Sequence, residues 1–200
     1  MDNQKLFRLS RLKEHGIPKA IEETLILELQ RLAPEVHGIL ISDFVYGVIT
    51  PRILDKITEL ASRHRLMLFG DLQCSSQVGN ILKFQNFDLI CPTEREVRIA
   101  LANQDDGVEY IANLLMQRTH CTNTIIKLGG EGFIAYHGRE GEYGFVRRQH
   151  FPALTATPVD VAGAGDSLLI SSALTLAAGG NIWEATLISS LAAAIQVGRV

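Results

Sequence analysis

What this 200-residue sequence has little of narrows the reading first. It has three cysteines, Cys74, Cys91 and Cys121. An odd number with no CxxC pair argues against a disulfide framework and against a zinc site, and fits a reducing compartment. There is one tryptophan, and aromatic residues make up 6% of the chain. Trp183, alone at the start of an apolar segment, reads as core. Runs of lysine or arginine are absent, and the formal net charge is -3. That balance argues against a nucleic-acid surface and against an anionic membrane partner. No apolar h-region follows Met1, so the start does not read as a signal peptide. The most apolar region, 168–200, is broken by Gly179-Gly180-Asn181 and by Glu184. It reads as two buried helices, not a membrane span, and the expected location is cytoplasmic. The histidines at positions 15, 37, 64, 120, 137 and 150 show no metal-ligand spacing. No Ser/His/Asp or Cys/His set can be picked out, and neither a Walker A loop nor a GxGxxG fingerprint occurs.

What is present suits one domain with enough chain for a core: 46% hydrophobic and 20% charged residues. Residues 2–17 take no firm assignment. Pro18 suits a helix start, and Ile21, Leu25, Leu29 and Leu32 share one helical face up to Ala33-Pro34. Gly38–Ser42 reads as a buried strand ending in Asp43. Thr50-Pro51 reads as cap and first residue of a helix carrying Ile53, Leu54, Ile57, Leu60 and Ala61. Leu66–Phe69 is a second strand, ended by Gly70-Asp71, and Phe87–Cys91 a third, ended by Pro92. Thr93 and Glu96 begin a helix to about Leu101, and Gly107–Gln117 is another. Thr124–Leu128 is a strand broken by Gly129-Gly130. Phe133–His137 and Tyr143–Arg148 pair as a hairpin around Gly138–Gly141. Asn181 caps the last helix, with Glu184 three residues on. Alternating strands and helices predict a parallel sheet covered on both faces, with antiparallel strands at one edge. Ligands bind such sheets at the carboxyl ends of the strands. Asp43, Asp71, Thr93, Glu96 and Gly129 are therefore expected on one rim.

The strongest local signal is Asp160-Val161-Ala162-Gly163-Ala164-Gly165-Asp166. Small residues stand between two carboxylates where a long apolar helix begins. Gly163, Ala164 and Gly165 let a ligand come close to backbone N–H groups, and a helix N-terminus favours an anion. Asp166 admits two readings. It is a good helix-starting residue, or it is a base beside a phosphate pocket.

The stretch resembles the Asp-Thr-x-Gly-Ala-Gly-Asp signature of the ribokinase-like (PfkB) carbohydrate kinases, with Val161 in place of Thr. The resemblance implies that Asp166 is the base taking the proton of a sugar hydroxyl, and that Gly163, Ala164 and Gly165 form the anion hole for the phosphoryl group. Lys127-Leu128-Gly129-Gly130-Glu131-Gly132 resembles the family's ATP-side segment, which puts Lys127, Gly129 and Gly132 against the nucleotide. A plain turn between two strands is the alternative. Pro92-Thr93-Glu94-Arg95-Glu96 resembles Pro-Asn-x-x-Glu, in which the glutamate helps organise Mg2+. Thr-x-x-Glu is also a helix capping box in its own right, so Glu96 keeps both readings. Ser190 matches a family Asn against the adenine, with Ala192–Ala194 beside it. A tightly packed core helix needs the same small residues.

Ser42–Gly47 and Gly70–Gln73 are similar to segments of the heptose-phosphate kinase branch, with Tyr46 and Gln73 where that branch carries lysines. The implied fold is the family's three-layer α/β sandwich. The chain matches one partial domain over residues 1–200, without the Gly-Gly-rich sugar-binding segment or the β lid. The implied activity is phosphoryl transfer from ATP, with Mg2+, to a hydroxyl of a sugar or sugar phosphate. The alternative is a non-catalytic nucleotide-binding module derived from such a kinase. An uncovered sheet edge is expected to pair with another chain, either a second copy or the missing N-terminal part.

Overall fold

The computed structural model describes residues 15–73, 79–138, 146–155 and 159–198. The reading of residues 2–14, Cys74, the loop through Gly141, the stretch Tyr143–Phe145 and the last two residues lie outside them.

Six strands form one sheet in the order β1 to β6. They are β1 (Gly38–Asp43), β2 (Met67–Leu72), β3 (Leu89–Ile90), β4 (Asn123–Lys127), β5 (Phe133–His137) and β6 (Arg147–Phe151). The pairs from β1 through β4 are parallel, and β4–β5 and β5–β6 are antiparallel. The helices are α1 (Lys19–Leu32), α2 (Pro51–His64), α3 (Glu94–Leu101), α4 (Val108–Thr119), α5 (Ala164–Ala177) and α6 (Ile182–Val197). Successive residues of a strand point to opposite faces. Leu68, Ile90 and Ile126 enter one core with side chains of α1, α2 and α4. Phe69, Leu89 and Ile125 enter a second core with Leu168, Leu169 and Ala185 of α5 and α6. Both faces are covered, so the strands read as continuous apolar runs.

Local chemistry sets the helix starts. The Thr50 side chain accepts from the Ile53 N–H, with Pro51 in the first turn. Reciprocal capping boxes form at Thr93/Glu96 and at Asn181/Glu184.

Four expectations need correction. β2 does not stop before Gly70-Asp71; it continues to Leu72, in register with β1 through Ser42↔Asp71 and Asp43↔Leu72. Gly70 is there for closeness, not as a break: a Cβ on it would meet Phe84 Cδ2 at 2.8 Å. β6 lies at Arg147–Phe151, later than Tyr143–Arg148, because Phe151 pairs with Phe133 and their rings stack at 5.2 Å. On α1 the buried residue is Ile26, while Ile21 and Leu32 are exposed. The last two helices are buried on one side alone. Leu174, Leu187, Leu191 and Ile195 are more than half exposed, because among the described residues the fold supplies one layer on the sheet side and nothing beyond it.

Candidate active site

A cavity of about 630 Å³ opens over the carboxyl ends of the strands, between the start of α5, one side of α6 and the turn after β4. Its size is ordinary for a small-molecule site. Lys127, Gly129, Gly132, Gly163, Ala164, Gly165, Asp166, Glu96 and Ser190 all line it. Residues up to 94 positions apart in sequence thus meet on one surface. Thr93 and Gly129 of the expected rim are there too. Asp71 is not among the lining residues, and neither is Asp43. Asp43 is buried and ion-paired with Lys83, and it accepts from the Val45 N–H at 2.9 Å.

At the head of α5, Gly163 holds a left-handed conformation with φ of 80°, which glycine adopts at little cost. No side chain caps the helix. The Ala164 N–H makes a 3.3 Å bond to the Val161 carbonyl, and the Ser167 N–H bonds to the Gly163 carbonyl. The N–H groups of Gly165 and Asp166 have no acceptor among the described residues. Two unspent donors at a helix start suit an anion. The preceding loop is fastened to the end of α6. The N–H groups of Val159 and Asp160 donate to the Val197 carbonyl, and Gln196 Nε2 donates to the Ala162 carbonyl at 3.2 Å. Asp160 Oδ1 accepts from the Ala162 N–H at 2.9 Å and shapes the turn.

The Asp166 carboxylate is exposed to the cavity, and its Oδ1 accepts from Gln73 Nε2 at 3.0 Å. Gln73 follows β2, two positions beyond Asp71, so both side chains stand on the α5 side of the sheet. Asp71 is fully buried. Its Oδ1 and Oδ2 accept from Lys127 Nζ at 2.9 Å and 2.7 Å, and Oδ1 also accepts from the Leu72 N–H. Burial is the largest influence on this carboxyl and pushes its pKa up from 3.8 to about 6, against the pull of the Lys127 ammonium.

Glu96 forms the capping box foreseen for it and also borders the cavity. Its Oε2 accepts from the Thr93 N–H at 2.7 Å, completing the cap of α3, while the side chain reaches the cavity wall. The turn after β4 is held by Gly132, whose φ is 91° and whose Cβ position would lie 2.1 Å from the Phe151 carbonyl oxygen. The wall built by 152–155 and Val197, and the role of Gln73, were not foreseen. The two-residue spacing of Asp71 and Gln73 at a strand end was the available signal for the latter.

The family model for "pfkB family carbohydrate kinase" matches residues 19–200. Among curated relatives, the bifunctional protein HldE of Trichlorobacter lovleyi is 28% identical over 201 residues, covering 99% of this chain and 39% of that protein. The HldE of Hyphomonas neptunium is 31% identical over 186 residues, covering 92% and 36%. The chain thus spans about two fifths of the relatives it matches. Among solved structures, ribokinase from Thermotoga maritima superposes with a TM-score of 0.63 at 26% identity, over 85% of this chain and 53% of that one. Phosphofructokinase-2 from Escherichia coli in complex with potassium gives 0.70 at 16% identity, over 87% and 56%. Motif, sheet order and family match agree, and the chain belongs to the pfkB family of carbohydrate kinases.

Proposed function

We propose that this chain is the nucleotide-binding and catalytic portion of an ATP-dependent carbohydrate kinase acting on a sugar or sugar phosphate. The observation that carries the reading is the Asp166 carboxylate facing the same cavity as the unspent N–H groups of Gly165 and Asp166. Asp166 Oδ2 has no partner among the described residues, while Gln73 occupies Oδ1. The acceptor hydroxyl gives its proton to Asp166 as its oxygen bonds to the terminal phosphorus. The bond from that phosphorus to the bridging oxygen breaks, and ADP leaves. The N–H donors at the head of α5 stabilise the charge on the phosphoryl oxygens, where positioning and electrostatics do most of the catalytic work.

Gly129 and Gly132 bring backbone close to the nucleotide, and Ser190 lies on the adenine side. A Cβ on Gly129 would meet nothing within 4 Å, which leaves room for a ligand there. Among the described residues no group of three or more metal-ligating side chains exists. Mg2+ does not need one, since it binds through one or two carboxylates, substrate phosphates and retained waters. Glu96 offers one hard oxygen donor on the cavity wall and would hold the ion. Held there, Mg2+ would neutralise phosphate charge.

Calorimetry with Mg·ATP and an ADP-release assay over a panel of sugars and sugar phosphates test the reading. Asp166→Asn is expected to lower turnover about 10²- to 10⁴-fold with ATP affinity preserved. Unchanged turnover in that variant removes Asp166 as the base. ATP binding without turnover on any acceptor replaces the kinase reading by a non-catalytic nucleotide-binding one.

A further inference from the structure

The Lys127 ammonium is an unusual feature for this cavity wall. Two of its three N–H bonds are spent on the Asp71 carboxylate, which has no exposure to water. Its third N–H has no acceptor among the described residues. The side chain is 16% exposed and reaches the cavity. Its nitrogen lies 3.5 Å, and Asp71 Oδ2 4.0 Å, from where a Cβ on Gly165 would stand. The ammonium therefore rests against the backbone of Gly165, one residue before Asp166. Of the described residues that line the cavity, Lys127 is the sole cation, and Glu96 and Asp166 are both acidic.

A buried ion pair is a poor stability device, because desolvating both ions offsets much of their attraction. A free lysine at a cavity wall would extend its ammonium into water. Asp71 prevents that. It fixes the charge beside the start of α5, whose Gly165 and Asp166 N–H groups are unspent among the described residues. A fixed charge with one proton left to give is suited to an incoming anion, since little reorganisation is needed on binding. The anion's place is set by Asp166. A phosphoryl group must lie within reach of an oxygen attacked beside that carboxylate, and the ammonium is on the side of Gly165.

We propose that Lys127 binds the terminal phosphate of the nucleoside triphosphate, and that Asp71 is the positioning residue that holds its ammonium beneath the start of α5. This deepens the kinase reading and rests on it. The lysine is thereby a device for telling triphosphate from diphosphate, not a contact to the base or ribose.

The test reads the ratio of ATP to ADP affinity by calorimetry in Mg2+. Lys127→Met alone leaves Asp71 buried without its partner, so Lys127→Met/Asp71→Asn removes both charges together. The double variant is expected to bind ATP at least about tenfold more weakly, the loss typical of a charged hydrogen bond. Its ADP affinity should stay within about twofold of wild type. Asp71→Asn alone keeps the cation but frees it, and should lower the same ratio by a smaller factor. A ratio unchanged in the double variant overturns the inference, as does an equal loss for ADP and ATP. Wild-type protein that binds neither nucleotide overturns the kinase reading itself, so the two failures are distinct.

Discussion

Asp71→Asn should change how stability depends on pH, and by a predictable amount. In the folded chain the Asp71 carboxyl is pushed up from 3.8 to about 6, chiefly by burial. A group whose folded pKa lies above its unfolded one binds its proton more tightly in the native state. Its contribution is fully present below about pH 4 and is lost as pH rises to about 6, above which both states are ionised. From 3.8 to about 6, at about 1.4 kcal/mol per pH unit, the loss is about 3 kcal/mol. Asparagine keeps the shape and cannot ionise. Urea denaturation of both proteins between pH 4 and 7 isolates the effect. The wild type should lose about 3 kcal/mol relative to the variant as pH rises through that window, and the difference should be flat above about pH 6.5. Parallel stability curves would refute the argument. They would mean that the Lys127 ammonium, bonded to both oxygens, outweighs burial.

Two other substitutions test parts that hold the cavity. Gly132→Ala should cost at least about 2 kcal/mol in urea unfolding, since φ is 91° and the new methyl would sit 2.1 Å from the Phe151 carbonyl oxygen. A neutral result would show that the turn shifts freely. Thr93→Ala removes the oxygen that accepts from the Glu96 N–H and should cost about 1 kcal/mol in the same assay. Because the Thr93 backbone N–H still holds Glu96 Oε2, ATP affinity should stay close to wild type.

The parts legible in the sequence were those with local causes. Thr50-Pro51, Thr93-x-x-Glu96 and Asn181-x-x-Glu184 announce helix starts because their hydrogen bonds span three residues or fewer. The parallel sheet with antiparallel strands at one edge followed from the alternation with helices and the late hairpin. The family motif brought Asp166, Lys127, Glu96 and Ser190 to notice, and all four border one cavity. What was not legible depends on distant chain. Gly70 looked like a strand end, but its reason is the nearby rings of Phe84 and Phe87. The register of β6 is set by a partner, Phe133, across a loop. The hydrogen bond from Gln73 to Asp166 joins residues 93 positions apart; the spacing from Asp71 puts Gln73 on the right face but does not name its partner. The exposed leucines of α5 and α6 were misjudged for the opposite reason. Composition says that a segment is apolar, not how many of its sides meet other chain.

The spatial order of the six strands is also their order along the chain. Among the described residues no strand is inserted between two earlier ones, so this part of the sheet can grow by adding each new strand at a free edge. Synthesis runs from the N-terminal end, and domains begin to form as chain emerges. Among the described residues, the cover of the face that carries Phe69, Leu89 and Ile125 comes from α5 and α6, which follow all six strands. Asp71 and Lys127 can therefore pair before α5 exists, but the cavity cannot close until α6 fastens the loop at 159–162. Interrupting synthesis between β6 and α5 would release a sheet bare on one side, with its charged pair in water and no site to serve.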